Sequence, residues 1–210
     1  MRALVIALVV LAAAPPASAD CAQDADQLRA HLEDAAPRVR RWNYGWAMAY
    51  GAAAVGQLAL ALTATKPFST FDQDYKETMY VGAAKATIGM ASRLVIPLKV
   101  RIPPRDADRC IELAALRASL KRIGNDEKKT FWLTHLGGLA LNIGGSLLLW
   151  HRRSFEVGAI SFLMSFPVGP LSAYTQPRAS WHKYRSESPT WSVGVGVGED
   201  QATLNLIGTL

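Results

Sequence analysis

The hydrophobic positions of this chain fall in long blocks separated by short charged runs. Residues 42–65, WNYGWAMAYGAAAVGQLALALTAT, are 24 residues without a formal charge. A helix rises about 1.5 Å per residue, so this block outspans a hydrocarbon core of about 30 Å. Trp42, Tyr44 and Trp46 crowd its start, where aromatic belts sit at a membrane surface. Residues 131–150, FWLTHLGGLALNIGGSLLLW, repeat the pattern with aromatics at both ends. The four-residue connector HRRS then forces residues 155–175 to fold back antiparallel. Pro167 and Pro170 cannot donate backbone hydrogen bonds, so they kink or end that last block.

Residues 78–98, TMYVGAAKATIGMASRLVIPL, have the length of a span but carry Lys85 and Arg93. A charge at the bilayer centre costs roughly 2.5–3.5 kcal/mol on insertion scales. A Gly/Ala-rich segment has little surplus hydrophobicity to offset two of them. Two outcomes follow from the residues: both side chains snorkel to the interface, Arg93 beside Lys99, or they turn inward. For the second, Glu156 is the partner expected for Lys85.

Between and around these blocks the period changes. Residues 20–41 read as a polar amphipathic helix with Leu28 and Leu32 on one face, interrupted at Pro37. Residues 106–122 read as a second, extramembrane amphipathic helix. In the tail, Trp191, Val193, Val195 and Val197 alternate with Ser and Gly, a GEDQ turn follows, and Ala202, Leu204 and Leu206 alternate again. That is the pattern of a short β-hairpin, which alone is marginal in water and must lean on something. The predicted fold class is an all-α membrane protein. Spans at about 42–65, 78–98, 131–150 and 155–175 form a four-helix transmembrane bundle of two antiparallel hairpins, with flanking amphipathic helices and a C-terminal β-hairpin. The predicted division is 1–19, 20–41, 42–175 and 176–210. The two halves each run amphipathic helix, span, short loop, span, and a slight residue match between them raises the idea of a duplication.

Composition sharpens the picture. Half of the residues are hydrophobic and 19% are charged, below the quarter usual for soluble domains. Residues 1–19 have Arg2, an apolar run to Ala14, and Ala17-Ser18-Ala19 before Asp20, the three-part pattern of a cleaved signal peptide. Asp20 before Cys21 argues against lipidation. An exported chain meets an oxidising compartment, so the two cysteines, Cys21 and Cys110, are expected to pair.

The charges pull the other way. A cleaved signal followed by four spans places 16 Lys/Arg outside the cytoplasm and 4 inside, against the positive-inside rule. The signal pattern is the more specific of the two. The expected location is therefore the bacterial cell envelope, the inner membrane in preference to the outer, with both termini outside the cytoplasm.

No catalytic motif is found. His31, His135, His151 and His182 have no metal-type spacing, and GVGVG sits in strand-like alternation with no helix after it. The sequence therefore predicts neither an enzyme, a cofactor nor a metal site. Polar residues do recur at spacing seven: Asn43, Tyr50 and Gln57 in the first span, His135 and Asn142 in the third. Such faces point inward, as interhelical hydrogen-bonding glue or as a polar path. The intramembrane polar candidates are Lys85, Arg93, His135, Asn142, Gln57 and Glu156. A non-enzymatic envelope scaffold or interaction protein is the expected function, with a small transporter or channel using the polar seam as the alternative. Expected partners are membrane lipids, anionic head groups among them, and a second copy or an envelope protein. Nucleic acid is not expected for an exported chain.

Overall fold

A computed structural model describes residues 17–63, 72–187, 190–197 and 202–209. The chain is mostly helical. Helix α1 spans Ala17–Thr63, α2 Asp72–Val95, α3 Arg109–Arg152, α4 Phe155–Ser165, α5 Val168–Tyr174 and α6 Ala179–Glu187. Three stretches are long and apolar enough to cross a membrane: Asp20–Thr63, Arg109–Arg152 and Phe155–Tyr174. The predicted second span is not among them. Its helix, α2, keeps Asp72, Asp74, Lys76 and Glu77 in its first turns and Lys85 and Arg93 beyond.

Two predicted boundaries are corrected. Pro37 does not interrupt the first helix, which runs through it for 47 residues. An internal Pro costs a backbone hydrogen bond and roughly 3 kcal/mol. Here Leu32, Ala35 and Val39 are buried on either side of it, and that packing holds the helix together. Likewise the helix expected over 106–122 and the span expected over 131–150 are one helix, α3, 44 residues long. Its start is fixed by Asp108, whose side chain accepts from the N–H of Cys110 at 2.9 Å and of Ile111 at 3.2 Å. The turn after it is fixed by Ser154, which accepts from Val157 N–H at 3.3 Å and starts α4. Pro167 does break the last apolar block, into α4 and α5.

Contacts give the helix directions. Gly51 meets Met90, Gln57 meets Gly82 and Tyr50 meets Gly89, so α2 lies antiparallel along α1. Gly158 meets Ser146 and Trp150, and Gly169 meets Gly138, so α4 and α5 run antiparallel to α3. Helices α1 and α3 run side by side in the same direction. Their N-terminal halves form a separate head. Its core is Ala25, Leu28 and Leu32 from α1 with Leu113, Leu116, Leu120 and Ile123 from α3. The disulfide Cys21–Cys110, expected from the sequence, ties the two tips with Cα atoms 5.0 Å apart.

A buried ion network lies below it. Arg29 donates to Glu112 Oε1 through Nε at 2.8 Å and Nη2 at 2.6 Å, and to the Pro103 carbonyl at 3.0 Å. Arg109 bridges Glu112 to Asp26. Burial pushes the Glu112 carboxyl up, but the hydrogen bond from Arg29 and the charges of Arg109 and Arg29 outweigh it and hold the group below its ordinary value. An extended strap from α2 to α3 climbs this head, with Val100 and Ile102 packed on its core. Residues 190–197 and 202–209 have strand backbone, paired antiparallel from Thr190 opposite Thr209 to Val197 opposite Ala202. The predicted signal segment lies outside the described residues except for 17–19, which open α1.

Candidate functional site

Helices α1 to α5 line a half-open cavity of about 760 Å3. Four of the six polar candidates line it: Gln57 from α1, Lys85 from α2, Asn142 from α3 and Glu156 from α4. Of the spacing-seven rows, Tyr50, Gln57 and Asn142 therefore face the cavity. Small residues make the room. A Cβ on Gly82 would stand 2.5 Å from Gln57 Oε1, and one on Gly89 2.9 Å from the Tyr50 ring. A Cβ on Gly145 would stand 3.0 Å from the Lys85 stem, so Lys85 lies across α3 because residue 145 has no side chain.

Lys85 Nζ donates to Ser165 Oγ at 3.0 Å, and Asn142 Nδ2 donates to the Ser165 carbonyl at 3.0 Å. Both contacts meet at the last residue of α4, next to the Pro167 break. The Lys85–Glu156 pair expected from the sequence is not formed among the described residues. Glu156 sits exposed at the start of α4. Gln57 Oε1 is buried and accepts no hydrogen bond. The seam thus offers one cation, an unused amide acceptor and two carboxylates, Asp74 and Glu156, in largely apolar walls.

Arg93 lies elsewhere. It does not snorkel to lie beside Lys99; it is 7% exposed. Its Nη2 donates to Thr134 Oγ1 at 3.0 Å and Ser172 Oγ at 2.9 Å, and its guanidinium stacks 4.2 Å from the Trp42 ring centroid. Trp42 in turn donates to the Ser172 carbonyl at 3.3 Å. No carboxylate pairs with Arg93 among the described residues. A cation–π contact of a desolvated arginine contributes about 2 kcal/mol; both hydroxyl bonds come from Nη2, and Nε has no acceptor. This plate joins α1, α2, α3 and α5. On its far side lies a second hollow of about 450 Å3 between α1 and the strap, which shares no lining residue with the first.

His135 does not meet Arg93; its neighbour Thr134 does. His135 packs among aromatic rings, stacked on Phe131 at 6.2 Å and edge-on to Tyr174 at 6.1 Å, away from the cavity lining. Asn43, the first of its row, leaves the seam to bind the strap, donating to the Leu98 carbonyl at 2.8 Å and accepting its N–H at 3.3 Å.

Besides the Arg29–Glu112 pair of the head, a buried carboxylate on α3 escaped the sequence reading. Glu127 on α3 is fully buried and accepts from Trp181 N–H at 2.7 Å, capping the start of α6, while its carbonyl accepts from Gln176 Nε2 at 2.7 Å. Burial pushes its carboxyl up, and the Trp181 N–H offsets only part of that. The signal was present: Glu127 continues the stripe Leu113, Leu116, Leu120, Ile123 at helical spacing. Helix α6 was not anticipated either. Among the described residues no group of three His, Cys, Asp or Glu is placed to hold a metal ion. No family model, curated protein or solved structure matches this chain.

Proposed function

We propose that the chain is an exported integral membrane protein of a bacterial cell envelope, acting without catalysis as a scaffold that holds a rigid post above the membrane. In this reading residues 1–19 are a leader that is removed. The spans form a four-helix bundle of two antiparallel hairpins in the inner membrane, and both termini lie outside the cytoplasm. The tail closes as a β-hairpin that leans on an envelope partner or a second copy.

The observation that carries the proposal is the continuity of α1 and α3 from the head into the apolar band, with the disulfide at the tip. Apart from Ile111 beside the disulfide, exposed large apolar side chains begin at Tyr44 and Met48 on α1 and at Trp132 and Leu133 on α3. Above those levels the exposed faces are charged. Two unbroken helices joined at the far end and at the base move as one piece, which suits presentation to a partner better than a moving lid. Pulldown from membranes tests this. Loss of partners from the Cys21→Ser/Cys110→Ser protein or from a chain lacking 190–210, with Lys85→Met unchanged, supports it. Loss from Lys85→Met alone refutes it.

The shared cavity favours a second reading, a small transporter. The Arg93 plate would be the barrier between the two hollows. Flux in liposomes that falls for Asn142→Leu, with normal protein abundance, would support transport; unchanged flux would remove it.

A further inference from the structure

The smaller hollow has a chemistry of its own. It lies between α1 and the strap and is lined by Arg40, Lys99 and Arg101, with Asn43, Tyr44 and Leu94 below them. No acidic residue lines it. Several other cations of the head do have carboxylate partners: Arg29 and Arg109 with Glu112, Arg38 with Asp34, Arg117 with Asp24. Arg40, Lys99 and Arg101 enter no ion pair among the described residues. With Arg93 at its floor, four like charges surround one concavity and repel each other, and no carboxylate among the described residues pairs with Arg40, Lys99, Arg101 or Arg93.

Position identifies the counter-charge. Directly below the hollow the surface turns apolar: Leu94, Val95 and Ile96 are 54%, 77% and 76% exposed, and Met48, one turn past Tyr44, is 75% exposed. Charged above and greasy below, over the width of one or two helical turns, is the profile of a lipid at the bilayer boundary. Tyr44, 59% exposed, supplies the amphipathic ring common at that level.

We propose that this hollow is a binding site for the head group of an anionic membrane lipid. The phosphate sits among Arg40, Lys99 and Arg101, and the acyl chains run down the Leu94–Ile96 face. The site gives three of the cations that stand against the positive-inside rule a use at the surface where they are found. It does not depend on the scaffold reading, which concerns the head and the tail.

The test uses the full-length mature chain in detergent with a one-to-one mixture of phosphatidylglycerol and phosphatidylethanolamine, with bound lipid counted by native mass spectrometry. The expected result is one retained phosphatidylglycerol, preferred over phosphatidylethanolamine by about tenfold or more. Arg40→Gln/Lys99→Gln/Arg101→Gln should abolish the preference. The equally discharged Lys121→Gln/Arg122→Gln/Lys128→Gln protein should keep it. Arg40→Lys/Arg101→Lys, which keeps the charge and disturbs folding least, should retain most of it. No preference in the unaltered chain, or equal loss in both triple variants, overturns the site. Displacement by free glycerol phosphate at concentrations matching the lipid overturns the lipid assignment, because the acyl face would then contribute nothing.

Discussion

Reducing or deleting the Cys21–Cys110 bond should loosen the head while leaving the bundle in place. The cysteines are 89 apart in sequence. For a chain free between them, the loop-closure expression gives about 4.6 kcal/mol of stabilisation. That figure is too large here. Val39, Trp42 and Leu98 pack together at the base of the head, so α1 and the strap stay joined when the tips separate. Only the two arms above that contact gain freedom, about 30 residues in all, and the same expression gives about 3.6 kcal/mol. At about 1.4 kcal/mol per decade, amide protection in the head should fall by a few hundredfold. Hydrogen exchange read peptide by peptide, with and without reductant, measures it. Residues 21–36 and 110–124 should exchange faster, and residues 131–150 should not change. Head exchange that stays within threefold of the oxidised protein would refute the reasoning, because the ion network and leucine core would then hold the arms unaided. Exchange rising throughout the bundle would refute it differently, by showing that head and bundle open as one unit.

Arg93→Met should keep or raise the melting temperature in detergent, since a buried cation without a carboxylate is replaced by an apolar chain of similar reach; a large drop would make Arg93 a structural pin. Trp42→Ala should cost roughly 3–5 kcal/mol by the same assay, from lost packing and the lost stack. Gly158→Val should destabilise by about 1–3 kcal/mol, because even a Cβ there would stand 2.6 Å from the Ser146 carbonyl, whereas Gly137→Ala meets nothing within 4 Å and should be neutral or stabilising. Glu127 titrates above its ordinary value of 4.5 when folded, so its contribution favours the fold at acid pH and is lost as pH rises through the raised value. Stability measured from pH 4.5 upward should therefore fall less steeply in Glu127→Gln than in the unaltered chain; parallel curves would contradict the burial argument.

The sequence showed some of this architecture and hid the rest for physical reasons. The uncharged block at 42–65 and the aromatic-flanked block at 131–150 were plain, since transfer into an apolar phase is read directly from composition. Part of the inward seam was also plain, because Tyr50 and Gln57, seven apart, share a helix face, but Asn43 and His135 at the same spacing turn to the strap and to an aromatic cluster. Helix ends were harder. Pro37 and the charged run Asn125–Thr130 both look like breaks locally. Burial of Val39 in one case and of Glu127 in the other keeps each helix continuous, and burial by distant segments cannot be seen in a window. Lys85 and Arg93 looked alike, two cations in one weak span. Their different surroundings depend on what α3, α4 and α5 bring to them: a glycine at 145 and Ser165 for one, Thr134, Ser172 and Trp42 for the other. Those partners sit 41 to 80 residues away from the cations they meet.

The central claim is that the apolar halves of α1 and α3 lie in the membrane with the head on the exported side. Single cysteines at Lys121, in the head, and at His151, at the opposite end of α3, test it in otherwise unaltered chains whose native cysteines are paired. With an impermeant maleimide applied to intact spheroplasts, position 121 should label at once and position 151 only after permeabilisation. Labelling of 151 from outside with 121 protected would invert the orientation. Equal labelling of both in a chain released from membranes by alkaline carbonate would place the helices in water.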